Sequence, residues 1–290
     1  MSQAKSRCKC TEGQTEYRKG IGIQAAESAA VRRYMFKTIL VISIIVVALI
    51  LFMPLLLVMM IYRHFDPMGA HRITQPLGAF FMKLLVRCTG SKVTVRGLEN
   101  IPNDTPVLFI SNHRGYFDIF LGYGWVKKPY GWIAKKEFWD QLYVVRRWML
   151  ILHNIFLKRH DAQAGLEMIN QSVEYIKQGC SMWICPEGTR NRKPGRISLL
   201  MFHNGSFKIA AKAGVPVVPV AIYGTREIME DHLPRLTAGN LVMEIGKPQY
   251  ITDLSVEDRK NVGDYFHDIV ADMLLKIDIE MGYGEEGRYE

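Results

Sequence analysis

The run VLFISNHRGYFDIF, residues 107–120, places His113 five positions before Asp118, directly after an apolar segment that reads as a strand. A carboxylate on one imidazole nitrogen fixes the tautomer and stabilises the imidazolium, which leaves the other nitrogen to act as a general base. No serine or cysteine follows in the stretch, so a base here would act on a hydroxyl supplied by a substrate. On a regular helix, positions five apart point about 140° from each other. The two side chains therefore meet only across an irregular turn; otherwise the stretch is a helix-capping turn with a surface histidine.

A second constellation is CPEGTRNRKPGR, residues 185–196, which follows the apolar MWI. Gly188 and Thr189 offer backbone and hydroxyl donors, and Arg190, Arg192, Lys193 and Arg196 add positive charge, a set that suits a phosphate. Glu187 is placed to hold an arginine. The competing reading is a solvated basic loop. A third stretch, HNIFLKRHD at residues 153–161, ends a short apolar run in Lys158 and Arg159. Strand ends carrying His/Asp, Arg and Glu/Arg would converge on a pocket with one base and several cations, an arrangement for attack by a hydroxyl on an acyl group held near phosphates.

The elements that must carry these residues are short β-branched runs alternating with helical stretches from residue 91 onward. KVTVRG, TPVLFIS, GWIAK, NIFLKR, MWICP, VPVVPVAIYG and LVMEIG read as strands. EFWDQLYVVRRWMLIL, AGLEMINQSVEYIKQG, GSFKIAAKAG and DRKNVGDYFHDIVADMLLKI read as helices. The alternation predicts an α/β domain over residues 91–290, a layered mixed or mainly parallel sheet flanked by helices.

Before it, residues 1–37 form a polar basic tail and residues 38–90 a membrane anchor. No charged residue occurs between Thr38 and Tyr62, a run longer than the roughly 20 residues a helix needs to cross about 30 Å of hydrocarbon. The segment reads as an apolar helix that spans the bilayer or, bent at Pro54, as one that dips into a single leaflet and returns. The stretch QPLGAFFMKLLVRCTG, residues 75–90, puts Leu77, Phe80, Phe81, Leu84 and Leu85 on one face, as an interfacial helix does. Arg18, Lys19, Arg32, Arg33 and Lys37 before the apolar run outnumber Arg63 and Arg72 after it, which keeps the tail cytoplasmic.

Lysine and arginine total 37 against 28 acidic residues, and the net charge of +9 favours anionic partners such as phosphorylated substrates, acidic lipid or nucleic acid. The five cysteines, Cys8, Cys10, Cys88, Cys180 and Cys185, include no C-x-x-C pair and no histidine spacing typical of zinc, so a reduced intracellular setting without a metal is expected.

NHRGYFD resembles the NHxxxxD block of the glycerolipid acyltransferase family, and IFLKR, CPEGTR and VPVVPV resemble its second, third and fourth blocks in the same order. The likeness covers residues 107–222 and is greatest to 1-acylglycerol-3-phosphate acyltransferases. It implies that His113 deprotonates the acceptor hydroxyl, that Asp118 orients it, and that Arg159, Glu187, Gly188, Thr189 and Arg190 recognise phosphate. It further implies a lysophospholipid acceptor, acyl-CoA or acyl carrier protein as donor, no cofactor, no metal, no acyl-enzyme, no nucleic acid, and a catalytic domain on the cytoplasmic face of a membrane, the inner one in a bacterium.

The chain departs from the family pattern at His153 and Lys158 around the second block, at Cys185 in place of phenylalanine opening the third, and at His203 where a lysine or arginine is usual. These departures leave open a different lysolipid acceptor. Two other classes are weighed: a thiol hydrolase or transferase with Cys185 as nucleophile, and an inactive binder of acidic lipid or nucleic acid.

Overall fold

The computed structural model describes residue 32 and residues 35–135, 142–158 and 161–289. Every strand candidate forms: β1 (Lys92–Arg96), β2 (Leu108–Ser111), β3 (Tyr130–Lys135), β4 (Ile155–Leu157), β5 (Ser181–Ile184), β6 (Val217–Tyr223) and β7 (Asn240–Ile245). They make one seven-stranded sheet in the order β1-β7-β6-β2-β5-β3-β4. Only β6 and β7 pair antiparallel, so the sheet is mixed and dominated by parallel neighbours.

The central strands are apolar on both faces because both faces are covered. Leu108 and Ile110 of β2, with Met182 and Ile184 of β5, point into a core shared with α6 (Ala162–Lys177), α7 (Lys208–Ala213) and α9 (Val262–Met281). The alternate residues Phe109 and Trp183 point the other way, against α3 (Pro67–Thr89) and α4 (Phe117–Trp125). The remaining helices are α5 (Tyr143–Ile151) and α8 (Val256–Lys260). Of the helix read over residues 137–152, residues 137–141 lie outside the described residues.

The apolar N-terminal run forms α1 (Met35–Leu51) and α2 (Met53–Tyr62), bent by 53° at a break beside Pro54. A proline in the first turn of α2 lacks the N–H that would continue α1. Among the described residues no single helix is long and apolar enough to cross a membrane; the bent pair passes that test only together. Helix α3 begins earlier than the amphipathic stretch read from residue 75, with the Asp66 carboxylate accepting from Gly69 N at 2.8 Å as its N-cap. It is not simply an interfacial helix. Leu85 and Val86 enter the core, His71, Thr74 and Gln75 are buried, and Phe80 remains exposed.

Beyond its last paired residue, β2 is continued by a side chain. The buried Asn112 amide donates to Ile222 O at 2.7 Å and accepts from Ile222 N at 2.8 Å, imitating one more ladder position against β6 and fixing the start of the loop that carries His113. Asn112→Ala would leave two buried backbone groups unpaired, at about 1–3 kcal/mol each. A clear fall in the urea unfolding midpoint, with the slope unchanged, is the expected result.

Candidate active site

His113 and Asp118 do meet. His113 Nδ1 lies 2.7 Å from Asp118 Oδ2, because His113 belongs to the loop after β2 while Asp118 is the second residue of α4. The chain folds back within residues 113–117, and the helix angle that would keep the pair apart does not apply. The same Oδ2 accepts from Arg114 N at 2.8 Å and Gly115 N at 2.9 Å, and Oδ1 accepts from Thr225 Oγ1 at 2.5 Å. Asp118 is fully buried, whereas the His113 side chain is 17% exposed and lines the principal cleft. A proton on Nδ1 directed at the carboxylate leaves the Nε2 lone pair for a hydroxyl arriving from that cleft.

The cleft holds about 880 Å³ and opens at the carboxyl ends of the strands, the usual place for a site in an open α/β sheet. Its polar end is formed by His113, Thr189, Arg190, Arg192 and His203. Apolar lining comes from Trp132 and Ile133 of β3, Leu157 of β4, and Leu166, Met168 and Ile169 of α6, and Lys135, Lys208 and Lys212 also line the cleft. Gly188 sits at φ 67°, in the left-handed region, with its missing Cβ facing the His203 ring at 3.3 Å. Cys185 also lines the cleft, and its Sγ contacts Ser111 Oγ at 3.5 Å.

Two expectations about the basic loop are corrected. Glu187 does not hold an arginine: it is buried, with Oε1 accepting from His113 N at 2.7 Å and Oε2 from Leu200 N at 3.0 Å. A carboxylate enclosed in this way binds the residue 185–200 loop to the backbone of His113 and has no open face for a phosphate. Arg196 is likewise engaged elsewhere, with Nε 2.8 Å from Asp278 Oδ1 on α9. Arg190 does line the cleft, but its acidic partner is Glu230, 3.5 Å away, and its guanidinium stacks on Tyr116 at 4.0 Å. Arg159 lies outside the described residues.

Glu230, Thr225 and Arg114 escaped the sequence reading. Glu230 accepts from Tyr116 N at 2.8 Å, and a Cβ on Gly115 would come within 2.8 Å of its carboxylate. Gly115 is thus needed for close approach. The buried Arg114 donates to Gly195 O at 2.7 Å and Lys193 O at 3.2 Å, tying the basic loop to the His113 loop. The one available signal was that Thr225 follows the end of β6 directly, as His113 follows β2.

The family model described as Acyltransferase matches residues 92–223, which contain β1 through β6 and both loops. These residues resemble an Acyltransferase domain. The solved 1-acyl-sn-glycerophosphate (LPA) acyltransferase PlsC of Thermotoga maritima superposes with a TM-score of 0.71 at 27% identity, over 85% of this chain and 96% of that one. A chloroplastic 1-acyl-sn-glycerol-3-phosphate acyltransferase of Brassica napus is 34% identical over 180 residues, 59% of this chain and 49% of that protein. The Escherichia coli (strain K12) protein of the same activity name is 28% identical over 230 residues, 78% of this chain and 89% of its own. The chain spans about half the length of the chloroplastic relatives it matches.

Within these matched residues, burial pushes the Glu187 carboxyl up to about 7, against the opposing pull of its two amide donors. The folded state then keeps this proton between about pH 4.5 and 7, where the unfolded chain releases it. The group's stabilisation is complete below the lower value and lost as the pH rises through the upper one. Denaturant midpoints should therefore decline across that window, and Glu187→Gln should remove that part of the decline.

Proposed function

We propose that the chain is a membrane-associated O-acyltransferase that moves a fatty acyl group from acyl-CoA or acyl carrier protein to the free hydroxyl of a lysophospholipid, 1-acylglycerol-3-phosphate giving phosphatidic acid. The observation that carries this reading is the His113–Asp118 pair, 2.7 Å apart, in one cleft lined by both cationic and apolar side chains. A lysophospholipid has that polarity, with a phosphate at one end and an acyl chain at the other. The names of the relatives support the same acceptor.

In the proposed reaction His113 Nε2 takes the proton of the acceptor hydroxyl as its oxygen attacks the thioester carbonyl. The tetrahedral intermediate collapses to the new ester, and the leaving thiolate receives that proton from the imidazolium. Asp118 holds the ring and stabilises its charge throughout. Arg190, with Gly188, Thr189 and the expected Arg159, binds the acceptor phosphate, while Glu187 acts by positioning the His113 loop. No cofactor is required, because the thioester is already activated.

Four variants in an acyl-transfer assay test this together. His113→Ala should lose about 10²–10⁴ in kcat while its circular dichroism stays native. Asp118→Asn should also be impaired through loss of ring orientation. Arg190→Lys should raise KM for the lysophospholipid, by about the 1.5–3 kcal/mol of a charged hydrogen bond, more than KM for the acyl donor. Cys185→Ala should retain most activity. A near-native His113→Ala would overturn the mechanism, and an acyl adduct on Cys185 after incubation with donor alone would favour the thiol enzyme.

We also infer that the bent pair α1–α2 enters one leaflet from the cytoplasmic side. Phe36, Ile50, Leu51 and Ile61 are each about two-thirds exposed, an apolar surface that water would not favour. The acyl donors are cytosolic, which requires the domain on that face. Protease added to the outside of intact cells should then spare residues 91–290, and cleavage there would refute the topology.

A further inference from the structure

A second cluster of chemistry-bearing side chains lies at the other end of the strands from the cleft. His71 on α3, His153 just before β4 and Cys180 just before β5 are all buried, and their ligand atoms lie within 4.8 Å of one another. The two imidazoles face each other with Nδ1 atoms 2.9 Å apart, and Cys180 Sγ stands 3.8 Å from the same His71 nitrogen.

Two imidazole nitrogens this close cannot both carry a proton, so at least one Nδ1 presents a lone pair beside the Cys180 sulfur. His153 holds φ 57°, in the left-handed region that histidine and asparagine enter more readily than most residues. Neutral imidazole with a cysteine sulfur is the ligand set of soft, thiophilic cations.

We propose that His71, His153 and Cys180 form a buried binding site for a soft d10 cation, with Cu(I) favoured over Zn(II). Metal–nitrogen distances of about 2.0–2.1 Å and a metal–sulfur distance of about 2.3 Å can be met by small ring and thiol movements from the observed separations. The Cys180 thiol loses its proton to solvent as the ion binds. One thiolate and a monovalent ion leave the site neutral. A divalent ion would leave a net positive charge with no carboxylate among its ligands. The ion would fasten α3, the helix that follows the bent apolar pair, to the amino ends of β4 and β5.

The test uses the full chain with Cys8→Ser and Cys10→Ser, which removes the thiols of the tail. Under anaerobic conditions the protein is titrated with Cu(I) or Zn(II) against a chromophoric chelator, and its thermal midpoint is recorded with and without each ion. One equivalent of Cu(I), bound more tightly than Zn(II) and raising the midpoint, is expected. Cys180→Ala and His153→Asn should each abolish that stoichiometric binding; asparagine tolerates the left-handed backbone, so the second variant keeps the local fold. Absence of a bound equivalent, or binding unchanged in both variants, would overturn the site. Tighter binding of Zn(II) would overturn the charge argument for Cu(I).

Discussion

A carboxylate with no exposure to water must have its oxygens satisfied by the protein, and around Asp118 that requirement organises the candidate active site. Its donors are the His113 ring, the backbone of Arg114 and Gly115, and the Thr225 hydroxyl. These come from the loop after β2 and the loop after β6. One buried charge therefore sets the imidazole orientation, closes the start of α4 and joins two strand ends. Removing any of these donors would leave part of a buried charge unpaired, which is why the loop has a single conformation available to it.

The same device is repeated around the cleft. Glu187 joins the backbone at His113 to that at Leu200, and Glu230 joins Tyr116 to Arg190. Arg114 completes the enclosure by donating to carbonyls of the basic loop. Buried or half-buried carboxylates and one buried guanidinium thus hold the loops, while the residues left facing the cleft include the imidazoles of His113 and His203 and the guanidinium groups of Arg190 and Arg192. This division explains how a loop so rich in charge stays ordered: the groups that fix it and the groups that can meet a ligand are different ones.

The N-terminal helices share the domain's core and are not a loosely tethered appendage. Val41 of α1 is buried in the cluster that contains Leu85, Phe109 and Trp183, and Lys37 Nζ donates to Thr89 O at 2.8 Å. Leu56 and Met59 of α2 pack with Ala70 and Ile151. One face of the bent pair is therefore held by protein while the other exposes apolar side chains, so its position relative to the cleft is fixed by packing.

The seven strands and the α/β alternation were legible because they depend on patterns within a few residues: β-branched runs, period-two alternation, and glycine or proline at the ends. The bend at Pro54 was legible for the same local reason, and so was the placing of His113 and Arg190 at strand ends. What the sequence could not supply was the pairing of polar groups far apart in the chain. Glu187 was read as the partner of a nearby arginine but serves a backbone amide 74 positions away, and Thr225 meets Asp118 across 107 positions. Local periodicity determines which elements form, whereas the partner of a buried charge is decided by whichever donors the packed sheet brings within hydrogen-bonding distance, and that depends on the whole tertiary structure.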